Sequence, residues 1–369
     1  MPQSYIEPQA RNEQTKGGKL PPDLSESDRA LLGRVESRAS NELLYGLKYH
    51  VMRRAFMDLA YYNGYQHIYW NYSDHRISQI PIKRGKTRVT DNKIMPAVQR
   101  ATKIMTGAVD FSVRPKNSDF KSRAAARMGE RVLRHLYRKN RWQRKFRKMA
   151  RWCVVTGVGF LRPYWNPNIG PEVEYFMNPQ DGLPIPPEQL SDEAKDLLRQ
   201  EGLSKKVREG DVDIAVHSPF EVYVPDTAED TDDLQWYLTT QRRSLNWLKE
   251  HYPKMGKYVT SEGFSLWEMN SFESRILSMA GGSGDGGGVG GGSVGMEDDQ
   301  SAIIKTYIEP PSEDNPKGVY AVVAGGVLLE RGDSPSYTFG LTGPDLVKFD
   351  FIERPGSFWP ISLPENMIS

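Results

Sequence analysis

Between Lys121 and Arg151 the chain carries thirteen basic residues, Lys121, Arg123, Arg127, Arg131, Arg134, Arg138, Lys139, Arg141, Arg144, Lys145, Arg147, Lys148 and Arg151, against one acid, Glu130. Seven of them, Arg127, Arg131, Arg134, Arg138, Arg141, Lys145 and Lys148, follow a 4-3-4-3-4-3 spacing. Residues three and four apart share a face of an α-helix, so the seven form one continuous stripe of positive charge. Such a row suits contact with phosphates, or with an acidic surface on another subunit. A solvated face, or one compensated by acids elsewhere in the chain, is the third reading. Met128, Val132, Leu136, Trp142, Phe146 and Met149 lie on the neighbouring face and are expected to pack inward.

Other chemistries find less support. Gly85-Lys86-Thr87 resembles the end of a phosphate-binding loop, but Ile80 stands five positions before Gly85 where that loop needs glycine. The backbone is therefore not specified to turn its amides toward a phosphate. The chain has no GxGxxG after a strand, no HExxH and no GxSxG. Asp226, Glu229, Asp230, Asp232 and Asp233 offer hard oxygen atoms for a divalent cation, yet lack the glycine and distal glutamate that bend a calcium loop around its ion. They read as a solvated loop capping a strand. The six histidines, His50, His67, His75, His135, His217 and His251, are scattered, with no pair at ligand spacing. Cys153 sits among apolar residues as a packed, inert thiol. No catalytic residue, cofactor or metal site is expected, and the chain is read as a non-enzyme.

The elements that would position the stripe follow from periodicity. Residues 1–25 are rich in Gln, Pro, Gly and charge and read as a mobile arm. A helical segment is expected from Asp28 to Tyr65, since Leu31, Leu32, Val35, Ala39, Leu43, Leu47, Val51, Ala55, Leu59 and Tyr62 keep one apolar face. Ser25 to Asp28 supply cap residues, and Asn63-Gly64 the stop. Short strands follow over His67–Val89, a helix over Lys93–Gly107 and a strand over Val109–Arg114. The stripe lies on one long helix, Phe120 to Val155, capped from Asn117, Ser118 or Asp119. A strand over Gly157–Tyr164 comes next, then an acidic, Pro-rich excursion over Asn178–Gly210 with a short helix at Ser191–Glu201. Strands over Asp211–Val224 and Leu234–Thr240 lead to a helix at Ser244–His251. Residues 281–295 hold ten glycines in fifteen positions and form a flexible insert. It separates a region over 26–280 from a strand-rich segment over 296–369, with strands at Ile303–Ile308, Val319–Val323 and Val327–Glu330.

The 369 residues predict two to three domains. Eighteen Tyr, thirteen Phe and eight Trp are too many aromatic residues for a disordered chain. Forty-nine basic less forty-seven acidic residues leaves +2, so no overall field announces a nucleic-acid partner. One cysteine excludes a disulfide framework and a cysteine-ligated zinc site. The longest apolar stretch, Cys153 to Leu161, is interrupted by Thr156, Gly157 and Gly159, which argues against a membrane span, and the polar start argues against a signal peptide. The expectation is a soluble protein of a reducing compartment.

Three stretches together resemble the portal (head-to-tail connector) proteins of tailed bacteriophages, particularly those of short-tailed phages. The first is Tyr61-Tyr62-Asn63-Gly64-Tyr65-Gln66 with Arg88-Val89-Thr90-Asp91-Asn92-Lys93-Ile94-Met95-Pro96-Ala97-Val98. The second is Val109–Pro115, the basic helix, and GVGFLRPYWNP over Gly157–Pro167. The third runs from Ser218 to Pro253, where similar portals present a strand, an acidic turn, an Arg-bearing strand and a short helix in that order. No one of these is specific; their order is more so.

The resemblance implies an α+β fold of long helices packed with small antiparallel or mixed sheets, as in a portal wing. It implies a structural subunit of a homo-oligomeric ring, usually a dodecamer, passing double-stranded DNA during genome packaging and ejection. Partners would be the terminase large subunit, capsid or scaffold proteins and tail adaptor proteins, without a membrane. Its place would be the virion, after assembly in the host bacterial cytoplasm. The stretch Asp350–Trp359 looks like the lead-in to a long stem helix, whereas the chain stops at Ser369 with Pro360 and Pro364 on the way, so it corresponds to an N-terminal wing part. Two rival expectations stand beside this one: a nucleic-acid-binding protein or nuclease using the basic helix, and a truncated portal remnant that does not assemble.

Overall fold

The computed structural model describes residues 24–44, 46–71, 76–81, 85–87, 89–107, 112–166, 169–178, 184–185, 190–261, 301–313, 315–341 and 343–368. Nearly all of the expected N-terminal arm, and the whole glycine-rich insert 281–295, lie outside the described residues. In chain order the elements are α1 (Glu26–Leu44), α2 (Leu47–Tyr62), β1 (Ile68–Asn71), β2 (Arg76–Gln79), α3 (Ile94–Met105), α4 (Phe120–Lys139) and α5 (Trp142–Thr156). Then come β3 (Val158–Asn166), β4 (Glu172–Met177), β5 (Pro184–Ile185), α6 (Asp192–Gln200), β6 (Ser204–Arg208), β7 (Asp211–His217), β8 (Val222–Tyr223), β9 (Tyr237–Ser244) and α7 (Leu245–His251). The last are β10 (Ser301–Glu309), β11 (Val319–Ala324), β12 (Val327–Gly332), α8 (Pro335–Thr338), β13 (Val347–Asp350) and α9 (Leu363–Ile368). The fold is α+β. Every pairing among the described strands is antiparallel.

The chain forms two compact units. The first takes the described residues within Met1–Tyr49, Glu221–Asp226 and Gln235–Tyr337. Its centre is a sheet in the order β12-β11-β10-β9-β8. Successive strand residues point to opposite faces, so β11 serves two cores at once. Ala321 and Val323 join Leu238, Tyr307 and Trp236 beneath Leu31, Val35 and Ala39 of α1. Val322 and Ala324 join Ala302, Ile304 and Leu329 against Leu248 of α7. Ser25 caps α1 through its hydroxyl, which accepts from the Asp28 amide at 3.2 Å.

The second unit takes His50–Phe220, Thr227–Leu234 and Thr338–Ser369. Its principal sheet is β13-β3-β7, with β3 in the middle. Met149 and Cys153 of α5 pack on Leu161, flanked by Ile214, Val216 and Phe349. The chain passes from α5 to β3 through Gly157, at φ +90°, where a Cβ would stand 3.0 Å from the Pro360 carbonyl oxygen. Only glycine meets both the left-handed backbone and the close approach. Phe160 of β3 stacks on Phe358 with ring centroids 6.1 Å apart, and Trp359 meets it edge-on. Residues 351–362 fold back on the sheet, held by the Ile361 amide donating to Ile352 at 2.8 Å.

Several expectations need correction. The helix expected over Asp28–Tyr65 is two helices, α1 and α2, parted at Gly46. A Cβ on Gly46 would lie 2.6 Å from Glu42 Oε2, and Asp226 Oδ1 accepts from the Leu47 amide at 2.9 Å, which caps a new helix start. The strand expected over Val109–Arg114 is absent from its described part: residues 112–115 are irregular, and Val113 lies 3.9 Å from where a Cβ on Gly129 of α4 would stand. The helix expected over Phe120–Val155 is broken as well, into α4 and α5. The acidic excursion holds more than a short helix, because its β5 and β6 pair with the preceding β4 in a sheet of their own, in the order β5-β4-β6.

Candidate functional site

The seven stripe residues do not form one continuous row. Arg127, Arg131, Arg134 and Arg138 share one exposed side of α4, but Arg141 is the junction residue itself, at φ +51°, and Lys145 and Lys148 belong to α5. The break is held by β7. Asn140 donates its side-chain amide to the Val212 carbonyl, Lys139 pairs with Asp211 at 2.6 Å before the turn, and Lys145 pairs with Asp213 after it. A straight helix of this length would run about 50 Å at 1.5 Å per residue and carry one end away from the sheet. The turn instead lets Trp142, Met149, Ala150, Cys153 and Val154 of α5 bury themselves.

The inward side of α4 also differs from expectation. Met128 is 62% exposed and Val132 49% exposed, whereas Ala126 is the buried residue of the helix and Leu133 and Tyr137 are half-buried beside it. Tyr137 meets Trp142 edge-on with ring centroids 6.4 Å apart. The inward row is thus Ser122, Ala126, Leu133 and Tyr137, nearly opposite the side holding Met128. Ser122 and Ala126 allow the helix to lie close at its start, while Met128 and Val132 stay largely in water. Of the basic residues, Lys145 and Lys139 are neutralised by β7, and Arg134 pairs with Glu130 at 2.9 Å. Among the described residues no acid pairs with Arg127, Arg131, Arg138, Arg141 or Lys148.

The remaining candidates for chemistry are placed as follows. Gly85-Lys86-Thr87 is exposed, and the helix that follows begins only at Ile94. In the acidic run, Asp226 caps α2, while Asp230 and Asp233 form a reciprocal capping box on the short turn Thr231–Asp233. Glu229, Asp230, Asp232 and Asp233 are exposed. Among the described residues no three His, Cys, Asp or Glu side chains gather where they could hold a metal ion. His251 stacks on Trp247 at 3.9 Å, and Arg243 covers the same indole at 5.1 Å. Cys153 is fully buried, and burial, with the nearby Asp350, pushes its thiol up to about 12.

Two further charged groups, Lys48 and Asp58, are buried. Lys48 is 2% exposed; its ammonium donates to the Val222 carbonyl and lies 4.5 Å from the centre of the Tyr223 ring. Burial lowers it to about 7, opposed by Glu221 and Glu42. Glu42 is raised to about 7 by burial and by Asp226. Asp58, 3% exposed in the second unit, is raised to about 7 by burial. A signal existed for both positions: Lys48 shares the inward row of Met52, Ala55 and Leu59, and Asp58 that of Val51 and Ala55. Charge within an apolar row marks a buried ion.

The chain matches no known family model, and no curated protein matches it. Among the described residues no helix is long and apolar enough to cross a membrane.

Proposed function

We propose that the chain is a structural subunit of a homo-oligomeric ring of the phage-portal kind, and not a catalyst. Double-stranded DNA passes through such a ring, and the terminase large subunit, capsid or scaffold proteins and tail adaptor proteins are its partners in the virion and during assembly in the host cytoplasm. The observation that carries the reading is the run from Ser218 to Pro253. Its residues fold, in chain order, as β8, an acidic turn ending in the capped Asp230–Asp233 box, the strand β9 bearing Arg242 and Arg243, and the short helix α7. That is the order on which the resemblance to portals rests. The test is the native mass of the purified chain by light scattering and negative-stain microscopy. Closed rings support the proposal; a chain that stays monomeric at every concentration defeats it.

The exposed arginines of α4 favour a second reading, a nucleic-acid-binding protein. That reading expects affinity for duplex DNA to fall by about 0.9 log units per log unit of salt for each phosphate neutralised. It also expects charge reversal at Arg134, Arg138 and Arg141 to abolish binding without changing the native mass. Unchanged DNA binding in that variant would exclude it.

A further inference from the structure

Two surfaces of the second unit combine charge of opposite sign with apolar side chains left in water. On α4, Phe120 is 86%, Met128 62% and Val132 49% exposed, and Arg127, Arg131 and Arg138 lie alongside. On α6, Leu197 is 61% exposed, flanked by exposed Glu193 and by exposed Asp196, which pairs at 2.8 Å with Arg199. From Lys121 to Arg151 the balance is thirteen bases to one acid; from Glu172 to Asp211 it is ten acids to five bases.

We infer that the exposed face of α4 receives the acidic, leucine-bearing face of α6 from a second copy of this chain. The inference rests on the proposed oligomeric role and names the surfaces that would join its subunits. Leu197 meets Met128 and Val132 at the centre, while Glu193 and Asp196 meet Arg127 and Arg131 at the edge. This matches the apolar centre and charged rim of protein interfaces, in which arginine and methionine are enriched. Duplex DNA would satisfy the arginines alone and leave Met128 and Val132 in water. The two faces are different patches on each copy, so the contact is heterologous, the kind that propagates head to tail and closes into a ring when the rotation allows.

The experiment compares self-association of the full chain, by sedimentation velocity over a concentration series, with that of charge-reversed variants. Arg127→Glu/Arg131→Glu and Glu193→Lys/Asp196→Lys are each expected to weaken association about tenfold or more, since like charges meet at the contact. An equimolar mixture of the two restores it, because each face then finds its complement on the other variant; the fourfold variant restores it in one chain. Leu197→Glu, which leaves the start of α6 untouched, also weakens association and guards against misfolding of the α6 variant. Circular dichroism checks the fold of each. A wild-type chain that self-associates while no variant differs from it overturns this contact and leaves the oligomeric role standing. Loss in the α4 variant alone, together with lost duplex-DNA binding, assigns the face to DNA and overturns the inference. A wild-type chain that never self-associates overturns the oligomeric role and this contact together.

Discussion

Asp58 offers a sharp test of the energetics of the second unit. Its carboxyl group lies on α2 with 3% of its surface exposed, near Ser362, Arg54 and Glu365, and Oδ2 meets no hydrogen-bond donor among the described residues. Burial is the main cause of its rise from 3.8 to about 7; Glu365 adds to it, while Ser362 and Arg54 oppose it. The folded protein therefore binds a proton that the unfolded chain releases above pH 3.8. Stability falls as pH rises through the window from about 4 to about 7, at about 1.4 kcal/mol per unit of pH. Between pH 5 and pH 8 the part of that window crossed is about 2 units, or about 3 kcal/mol. Asp58→Asn keeps the shape and removes the titration. Urea denaturation of both proteins at pH 5 and pH 8 should show the wild type losing about 3 kcal/mol more than the variant. Glu42 and Lys48 also titrate near neutrality, but they do so in both proteins and cancel in the difference. Equal pH dependence, or a wild type that gains stability relative to the variant at pH 8, would refute the assignment of a buried protonated carboxyl.

Further expectations concern the junction, the thiol and the first core. Arg141 holds a left-handed backbone at φ +51°, so Arg141→Gly should raise stability by about 1 kcal/mol; a lower urea midpoint would count against the junction. Cys153, buried and raised to about 12, should resist alkylation at pH 8 until urea is added; labelling at the rate of a free thiol would contradict its burial. Leu238 is fully buried between α1 and the five-stranded sheet, and Leu238→Ala should destabilise by about 2–5 kcal/mol, with a change below 1 kcal/mol arguing against that core.

Much of the α+β fold was legible in periodicity. Strands β10, β11 and β12, helices α3, α6 and α7, and the stop at Gly64 lie close to where the sequence pattern puts them, because each rests on a local signal. The two helix breaks were not legible in the same way. Both Asp28–Tyr65 and Phe120–Val155 keep helical spacing across their interruptions, and what interrupts them comes from afar in sequence: Asp226 at the start of α2, and Asp211, Val212 and Asp213 beside the junction at Arg141.

The amino-acid sequence by itself determined that Lys121–Arg151 is basic, helical and poor in acids, since composition and spacing need no partner to be read. Tertiary structure decided what that charge does. It neutralised Lys139 and Lys145 against β7, ended the stripe at Arg141, and turned Ala126, Leu133 and Tyr137 inward where Met128 and Val132 were expected. The physical reason is that periodicity names the residues sharing a helix face, while the direction of that face depends on what the rest of the chain offers to bury it.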